Sequence, residues 1–419
     1  MANDEAPQFP GSEPKFFYGY IIVAVAVLIM LAMYGVSFAF GVFFNPVLTE
    51  FGWTRATTSG AFSLSVIITG LLTIVAGRLN DRFGPRIVLT VCGVLLGLGY
   101  LLMSQISFVW QLYLFYGVII GLGMTGSWVP LVSTTARWFV KRRGMMTGLV
   151  VAGLSIGSLI SPPIANKLIS IYEWRISYFI LGSIVLIIIV TAAQFLRRDP
   201  EQKGLVPYGY SQSEEYTLES MGNSLSLKEA VYHRQFWLLT AVLFSFGFLL
   251  YTIVVHIAPH AIALGISTVT AANVLATIGG ISILGNIAFG GITDRIGNKR
   301  AYTICFFLIS VVLFWLVPAT EVWKLYLFAV IFGFARGGIN AIESPLIANL
   351  FGLKSHGVIY GVINLSFTVG AAVGPFLAGF IFDVTGSYQI AFLVCAAIGI
   401  IAFVLTIALR PIRRPEPET

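Results

Sequence analysis

A ten-residue stretch of this sequence, residues 77–86, returns 213 positions later as residues 290–299. The recurring residues are Gly77, Asp81, Arg82 and Gly84 in the first copy and Gly290, Asp294, Arg295 and Gly297 in the second. The same shift, without a gap, pairs six glycines in order, where composition alone would give about two such pairs. Because a fixed repeat marks a repeated structural unit, we predict that the chain is a duplication.

The apolar content of both repeats places them in a membrane. Hydrophobic residues make up 57% of the chain and charged residues 10%, against about 25% charge in soluble proteins. Runs of about twenty apolar residues recur, and each is long enough to cross a bilayer as a helix. We predict an all-α integral membrane protein of twelve transmembrane helices, arranged as two pseudo-symmetric six-helix bundles.

One long polar segment divides the chain between the sixth and seventh predicted helices. The predicted units are a cytoplasmic N-terminal tail (1–16), a first bundle (17–196), a cytoplasmic linker loop (197–234), a second bundle (235–410) and a cytoplasmic tail (411–419). We expect helix 1 to end near Pro46, helix 2 to end near Gly77, and a short interfacial helix to lie at 225–233.

The distribution of positive charge predicts the orientation in the membrane. With the N-terminus in the cytoplasm, 20 of the 25 Lys and Arg residues fall on the cytoplasmic side, as is typical of membrane proteins. The net charge of +7 is therefore no sign of nucleic-acid binding. We expect a multi-pass protein of the inner membrane, in contact with lipid, monomeric, with both termini cytoplasmic and no cleavable signal peptide.

The cysteines carry no sign of a metal or disulfide framework. Cys92, Cys305 and Cys395 lie in three separate apolar spans, and no ligand spacing links them. We expect neither a metal nor a cofactor.

The repeated loops resemble the inner-loop motif of the major facilitator superfamily, and this resemblance covers the whole chain. It implies two bundles that rock around a central site and so give alternating access. Asp81 and Asp294 are then expected to accept hydrogen bonds from helix N-termini across the bundle interface when the inner side is closed. Arg82 and Arg295, together with Arg137 and Arg143, are expected to join that charge network.

Two further segments resemble a narrower group within this superfamily. The stretch Trp138-Phe-Val-Lys-Arg-Arg-Gly-Met-Met-Thr-Gly148 is similar to monocarboxylate porters, and residues 374–388 are similar both to them and to oxalate/formate antiporters. Residues 51–56 are typical of bacterial members. The chain departs from this group at two cation positions, which are Asn286 in helix 8 and Phe367 in helix 11. A doubly charged substrate is therefore not expected.

Ionisable residues inside the spans are the best candidates for function. Each costs about 2.5–3.5 kcal/mol on insertion scales, so their presence needs a reason. Arg336 lies near the middle of helix 10, and its guanidinium suits a carboxylate in bidentate geometry. Glu343, seven residues on, is a candidate proton carrier. The alternative is that both residues lock the bundles together, or that Glu343 serves the inner gate.

His256 and His260 flank Pro259 in helix 7, one turn apart on one face. Histidine titrates near neutral pH, so the pair is a candidate proton relay, with packing of the outer gate as the alternative. A metal would need a third ligand, and none is evident. The remaining side chains expected to line a substrate site are Asn286, Asn340, Asn364, Tyr34, Phe38, Tyr116 and Tyr251.

The sequence thus predicts a secondary transporter of a small organic anion, a monocarboxylate of the lactate or pyruvate type, moved with a proton. One alternative is an exchanger of related anions without net proton movement. Another is an exporter of amphiphilic compounds, although Gly123 stands where many such exporters carry an arginine. An enzyme is not expected, because nucleophile-elbow, zinc-protease and nucleotide-loop motifs are absent from the sequence.

Overall fold

Long helices make up most of this computed structural model, which describes residues 17–139, 142–209, 225–352 and 356–410. The membrane-crossing helices are numbered α1 to α12 along the chain. They are α1 Gly19–Phe51, α2 Arg55–Phe83, α3 Pro85–Met103, α4 Val109–Trp138, α5 and α6 within Arg143–Ala193, α7 Arg234–Ala263, α8 Thr268–Ile296, α9 Asn298–Leu316, α10 Val322–Phe351, α11 His356–Thr385 and α12 Gln389–Ala408.

Eleven continuous stretches of the described chain are long and apolar enough to cross a membrane, and one of them holds two crossings. The helix Arg143–Ala193 has 51 residues and would measure about 77 Å, more than twice the thickness of a bilayer core. Its backbone leaves the helical region at Glu173, with φ 64° and ψ 168°. α5 precedes this kink and α6 follows it, so the prediction of twelve spans is confirmed.

The duplication is visible in the helix bounds. α2 and α8 each have 29 residues, α3 and α9 each have 19, and α4 and α10 each have 30, always shifted by 213 positions. Gly84 ends α2 with φ 80°, and Gly297 ends α8 with φ 83°. Glycine adopts such positive φ values without steric cost, which explains its place at the same point of both repeats.

Two predicted helix ends are wrong. α1 continues beyond Pro46 to Phe51, with one interruption at Ala39, and α2 continues beyond Gly77 to Phe83. Neither a proline nor a glycine need end a helix in a membrane, since the backbone has no water to bond with instead. The short interfacial helix is Leu227–Tyr232, capped by Ser226 together with Glu229.

α4 and its repeat partner α10 differ in their middle sections. α4 widens into a π-helical segment, Tyr113–Ile120, and is interrupted at 125–128 before it resumes at Val129. α10 runs through without interruption, and Arg336 takes the place of Gly123. The two repeat partners thus match in their bounds but differ in the path of their backbones.

Glycines let the helices of each bundle pack closely. In the first bundle α5 lies against α1, where a Cβ on Gly157 would come within 3.0 Å of Gly35. In the second bundle α11 lies against α7, where Gly370 faces the backbone of Phe244 and Phe248. Small residues are what membrane helices need for such close approach. The two bundles meet through α2 with α11, α5 with α8, and α1 with α7.

We call the two ends of the helix bundles the terminal face and the distal face and define each by its loops. The terminal face carries the segments around residues 84, 194–209, 225–234, 297 and 352. The distal face carries the loops 52–54, 104–108, 264–267, 317–321 and 386–388.

Candidate functional site

The bundles touch in the distal half of their interface. Gly70 of α2 lies directly against the side chain of Thr368 in α11, and Gly279 of α8 lies directly against Ser158 in α5. A hydrogen bond of 3.1 Å also joins the hydroxyls of Ser155 and Ser282 across α5 and α8. The interface is therefore close-packed from the distal face down to about the middle of the spans.

The terminal half of the same interface is open. Gly77, Gly148, Gly290 and Gly361 continue the interface faces of α2, α5, α8 and α11, since each is seven or eleven residues from an inter-bundle contact. A Cβ on Gly148, Gly290 or Gly361 would meet nothing within 4 Å. One on Gly77 would meet only Val129 of its own bundle, at 3.4 Å. The bundles are thus closed together distally and separated terminally.

Arg336 lies between the bundles, below the closed region. Its side chain belongs to α10 and is 2% exposed, and its Cζ atom lies 4.9 Å from the ring centroid of Phe38 in α1. Phe38 ends the first segment of α1, directly before the interruption at Ala39. Over the part of the chain that the structure describes, no ion pair reaches Arg336, and its Nε atom has no hydrogen-bond partner. A buried cation without a partner is costly, so this site can accept an anion.

Aromatic rings surround the guanidinium. Phe38 stacks with Tyr34 at a centroid distance of 6.1 Å and with Tyr251 of the other bundle at 6.4 Å. Ser127, in the interruption of α4, donates a 3.1 Å hydrogen bond to the hydroxyl of Tyr34. Phe367, at the lysine position of the antiporters, packs against Tyr251 at 6.0 Å. The site therefore combines one positive charge with an apolar, ring-lined wall.

The other predicted substrate residues lie at varying distances from this centre. Asn286 is half-buried in α8, and its backbone nitrogen would lie 2.8 Å from a Cβ on Gly337, next to Arg336. Asn340 and Asn364 are half-buried on α10 and α11. Tyr116 instead lies in the core of the first bundle, where it packs on Phe40, Phe62 and Tyr100.

Glu343 lies about 10 Å along α10 from Arg336, toward the terminal face. Its side chain is buried, at 8% exposure, and is hydrogen-bonded by the hydroxyl of Tyr360 in α11. No ion pair joins it to Arg336 among the described residues. Arg336 and Glu343 are thus separate sites on α10.

The two histidines lie in the closed distal region. The ring of His256 hydrogen-bonds the Tyr388 hydroxyl at 3.0 Å and the Pro375 carbonyl at 2.8 Å. His260 packs edge-on against Tyr388 and Phe392, with centroid distances of 5.7 and 4.9 Å. No group of three metal-ligating side chains occurs within the described ranges.

Three residues at the distal face were not singled out from the sequence. Asp383 accepts hydrogen bonds from the backbone nitrogens of Arg55 and Ala56, at 2.8 and 2.7 Å, and so joins α11 to the start of α2. Arg55 in turn donates to Tyr388 at 2.9 Å. The sequence did mark both places, because Asp383 and Tyr388 fall in the porter-like segment 374–388 and Arg55 falls in residues 51–56, which are typical of bacterial members. The sequence does not indicate that these two segments meet in the folded protein.

The repeated loop motif makes contacts inside its own bundle. Asp81 pairs with Arg137 at 3.1 Å, Arg137 pairs with Asp199 at 3.2 Å, and Arg198 donates to the carbonyl of Asp81. The guanidinium of Arg82 lies on the ring of Phe83. Arg295 is exposed, and the predicted roles of the Asp294 and Arg143 side chains fall outside the described part of the structure.

The chain is similar in sequence to proteins that are all named as transporters. Monocarboxylate transporter 12 of Homo sapiens is 27% identical over 428 residues, which cover 96% of this chain and 82% of that protein. Monocarboxylate transporter 7 of Homo sapiens is 26% identical and covers 95% of this chain and 87% of its own length. MFS-type transporter 1 of Ophiocordyceps sp. (strain BCC 1869) is 26% identical, with coverage of 93% and 85%.

The fold has a close match among solved structures. A bacterial homolog to the human lysosomal transporter Spinster, in an inward-facing and occupied conformation, superposes with a TM-score of 0.72 at 15% identity and covers 95% of this chain and 97% of that one. The family profile of the Major Facilitator Superfamily matches residues 25–291 and 268–419. The chain is a multi-pass transporter, not an enzyme, and it belongs to the major facilitator superfamily.

Proposed function

We propose that this transporter moves a small organic monocarboxylate together with a proton by alternating access. The observation that carries the proposal is Arg336, a buried guanidinium with no acidic partner among the described residues, located between the two bundles and covered by Phe38 of the opposite bundle. A single cation in an apolar wall favours one negative charge on the substrate. The names of the relatives, monocarboxylate transporters 12 and 7, support the same substrate class.

The open glycine faces support the alternating movement. Gly77, Gly148, Gly290 and Gly361 hold no contact with the opposite bundle, yet they continue the faces that touch distally. A glycine is needed where helices approach closely, so these four suit a second conformation in which the terminal face is closed. Lysine and arginine gather at the terminal face. We therefore place the protein in the inner membrane with both termini on the cytoplasmic side. The present conformation is then the inward-facing one.

Glu343 is the proposed proton carrier on the cytoplasmic side of the substrate. Its carboxyl group takes or releases one proton, and Tyr360 hydrogen-bonds it. The proposed substrate site lies between the two bundles of one chain, and we propose that the transporter acts as a monomer. Its proposed units are a cytoplasmic tail (1–16), a first bundle (17–196), a linker (197–234), a second bundle (235–410) and a cytoplasmic tail (411–419).

The test is uptake by proteoliposomes of labelled acetate, lactate, pyruvate, oxalate and a branched acid, with and without an inward proton gradient. We expect accumulation of a monocarboxylate to rise with the gradient, and Glu343→Gln to remove that rise. Exchange that ignores the gradient would replace symport by antiport. No movement of any acid by either route would overturn the substrate assignment.

Arg336→Gln separates binding from a structural role. If Arg336 binds substrate, the substitution removes an unpaired buried charge, so uptake is lost while the melting temperature stays level or rises. Arg336→Lys keeps the charge but not the bidentate geometry, and we expect uptake at least tenfold below the parent. A melting temperature that falls together with uptake in Arg336→Gln would indicate a structural lock.

A further inference from the structure

The closed distal face is held by one carboxylate of the second bundle. Asp383, at the exposed end of α11, accepts from the first two backbone nitrogens of α2 in the first bundle. These nitrogens have no partner inside their own helix, and the helix dipole makes that end positive. Asp383 can satisfy them only while the bundles are together distally.

The side chain of Arg55 extends this contact inward. Its Cζ atom lies 4.0 Å from the ring centroid of Phe382, and its Nη1 atom donates to the Tyr388 hydroxyl at 2.9 Å. Arginine cannot accept a hydrogen bond, so the oxygen of Tyr388 is the acceptor in this contact. The proton of Tyr388 is therefore directed to its other neighbour, Nδ1 of His256, at 3.0 Å.

The second ring nitrogen of His256 leads to the same assignment independently. Nε2 lies 2.8 Å from the carbonyl oxygen of Pro375, and a carbonyl oxygen only accepts, so Nε2 carries the proton. Nδ1 then holds a lone pair that accepts from Tyr388. His256 is fully buried, with 0% exposure, so bulk water is not in contact with the ring to replace either partner. The closed face thus contains neutral His256 with the proton on Nε2.

We infer that His256 is a proton-binding site that releases the distal latch, defined as Asp383, Arg55, Tyr388 and His256. A proton on Nδ1 turns both ring nitrogens into donors. The Tyr388 oxygen then faces two cationic donors, Arg55 and the imidazolium, and its own proton loses its acceptor. The proton comes from water on the distal side and returns there when the latch closes again.

Among the described residues, the groups in contact with His256 include no carboxylate to neutralise the added charge. Arg55 faces it from α2, Tyr388 from the loop before α12, and His260 from its own helix, while α1 contributes the uncharged ring of Phe44 at 5.4 Å. Asp383 is the one carboxylate of the latch and is held by the start of α2. A second positive charge beside Arg55 is therefore repelled, which favours opening.

The inference rests on the proposed function only where protonation of His256 is coupled to substrate transport. Opening of the distal face itself can be observed without substrate. The measurement is the distance between spin labels at Tyr172→Cys and Val269→Cys, exposed distal residues of opposite bundles. The labelled protein is studied in lipid nanodiscs at about pH 8 and about pH 5.5, on either side of ordinary histidine titration. The three native cysteines, which are buried, are replaced by alanine.

We expect the parent to shift from a short to a longer distance as the pH falls. His256→Gln should stay at the short distance at both pH values, because glutamine offers Pro375 a donor and Tyr388 an acceptor but does not titrate. His260→Gln is the matched control, one turn away and outside the hydrogen-bonded chain, and it should shift like the parent.

A shift in His256→Gln equal to that of the parent would overturn the inference, as would a parent that does not shift. Tyr388→Phe provides a second variant should His256→Gln fail to fold. It removes the hydroxyl that joins Arg55 to His256, so we expect the longer distance at both pH values, and a short distance at pH 8 would count against the latch. A parent that opens at low pH but moves no acid would retain this inference and refute the proposed function.

Discussion

The distal and terminal halves of the bundle interface are built from the same kind of residue but are used differently. Distally, Gly70 and Gly279 lie in direct contact with the opposite bundle. Terminally, Gly148, Gly290 and Gly361 face open space in this conformation. A glycine without a neighbour costs helix stability and gains nothing where it lies. The difference suggests that the terminal glycines serve a packing partner that arrives in another conformation.

The two halves also differ in polar contacts. The distal half is held by Asp383 against the start of α2, a contact between bundles. At the terminal end the nearest equivalent is Asp81, which pairs with Arg137 of its own bundle. Asp383 makes its contact across the interface, whereas Asp81 would make such a contact only in another conformation. This is what a gate with two positions requires.

The largest effect that would test this comparison comes from two substitutions on one helix. In Gly279→Leu the new side chain meets the backbone of Ser158 and Leu159, at 2.7 and 2.8 Å from the Cβ position alone. Overpacking of this kind costs about 1–3 kcal/mol, so we expect a clearly lower melting temperature. Gly290→Leu, eleven residues on, has no described neighbour within 4 Å of its Cβ position and should melt at or above the parent temperature.

The same pair should separate stability from transport. Gly290→Leu leaves the present conformation intact but fills the face that α5 must approach, so uptake in proteoliposomes should fall at least tenfold. If Gly290→Leu transports like the parent, the terminal glycines have no closing role. If both variants melt alike, the contrast between the two halves is wrong.

A smaller effect is expected at the distal carboxylate. Asp383→Asn keeps a side-chain oxygen for one backbone nitrogen of α2 but loses the charge that favours a helix N-terminus. Such a loss is worth about 1 kcal/mol, so the closed distal population should fall roughly fivefold relative to the open one. The label pair at 172 and 269 reports this population directly.

Glu50→Gln supplies the control for Asp383→Asn. Glu50 lies at the same face and pairs with Arg175 at 2.6 Å, but both residues belong to the first bundle. Its loss should leave the distance between bundles unchanged. An equal shift in both variants would mean that surface charge in general, rather than the contact at α2, sets the position of the gate.

The fold could be predicted from the sequence because few physical rules decide it. Lipid requires helices of a certain length, and the 213-residue repeat assigns six to each bundle. Even the glycines that end α2 and α8 lie at matching positions of the repeat, 84 and 297. The interruption of α4 at 125–128 could not be predicted, since its residues are as apolar or small as those of an unbroken span.

The candidate site was predictable only in part. Arg336 stands out because a charged residue in a span is rare and costly. The role of Tyr116 at the site stays a prediction, because buried aromatic rings fill bundle cores as readily as they line cavities. The contact of Arg55 with Asp383 joins residues 328 positions apart, and no local pattern tells which helix ends meet. Which face is open also depends on the conformation rather than on any single residue.

The smallest effect in this conformation is expected at Asp81. The pair with Arg137 is largely exposed, with side-chain exposures of 62% for Asp81 and 36% for Arg137, so it contributes about 0–1 kcal/mol. Asp81→Asn should hardly change the melting temperature. In the terminally closed conformation, however, Asp81 is expected to accept from a helix N-terminus of the second bundle, as Asp383 does distally, and the substitution should deplete that conformation.

Labels at Met145→Cys of α5 and Ile287→Cys of α8, exposed residues in the terminal halves of helices of opposite bundles, measure this conformation as a short distance. We expect the short-distance population to shrink in Asp81→Asn and to stay constant in Asp199→Asn, which removes the other carboxylate of Arg137. Identical distances in both variants would show that Asp81 acts only through Arg137 within its own bundle. The two ends of the interface would then share their glycines but not a carboxylate contact between bundles.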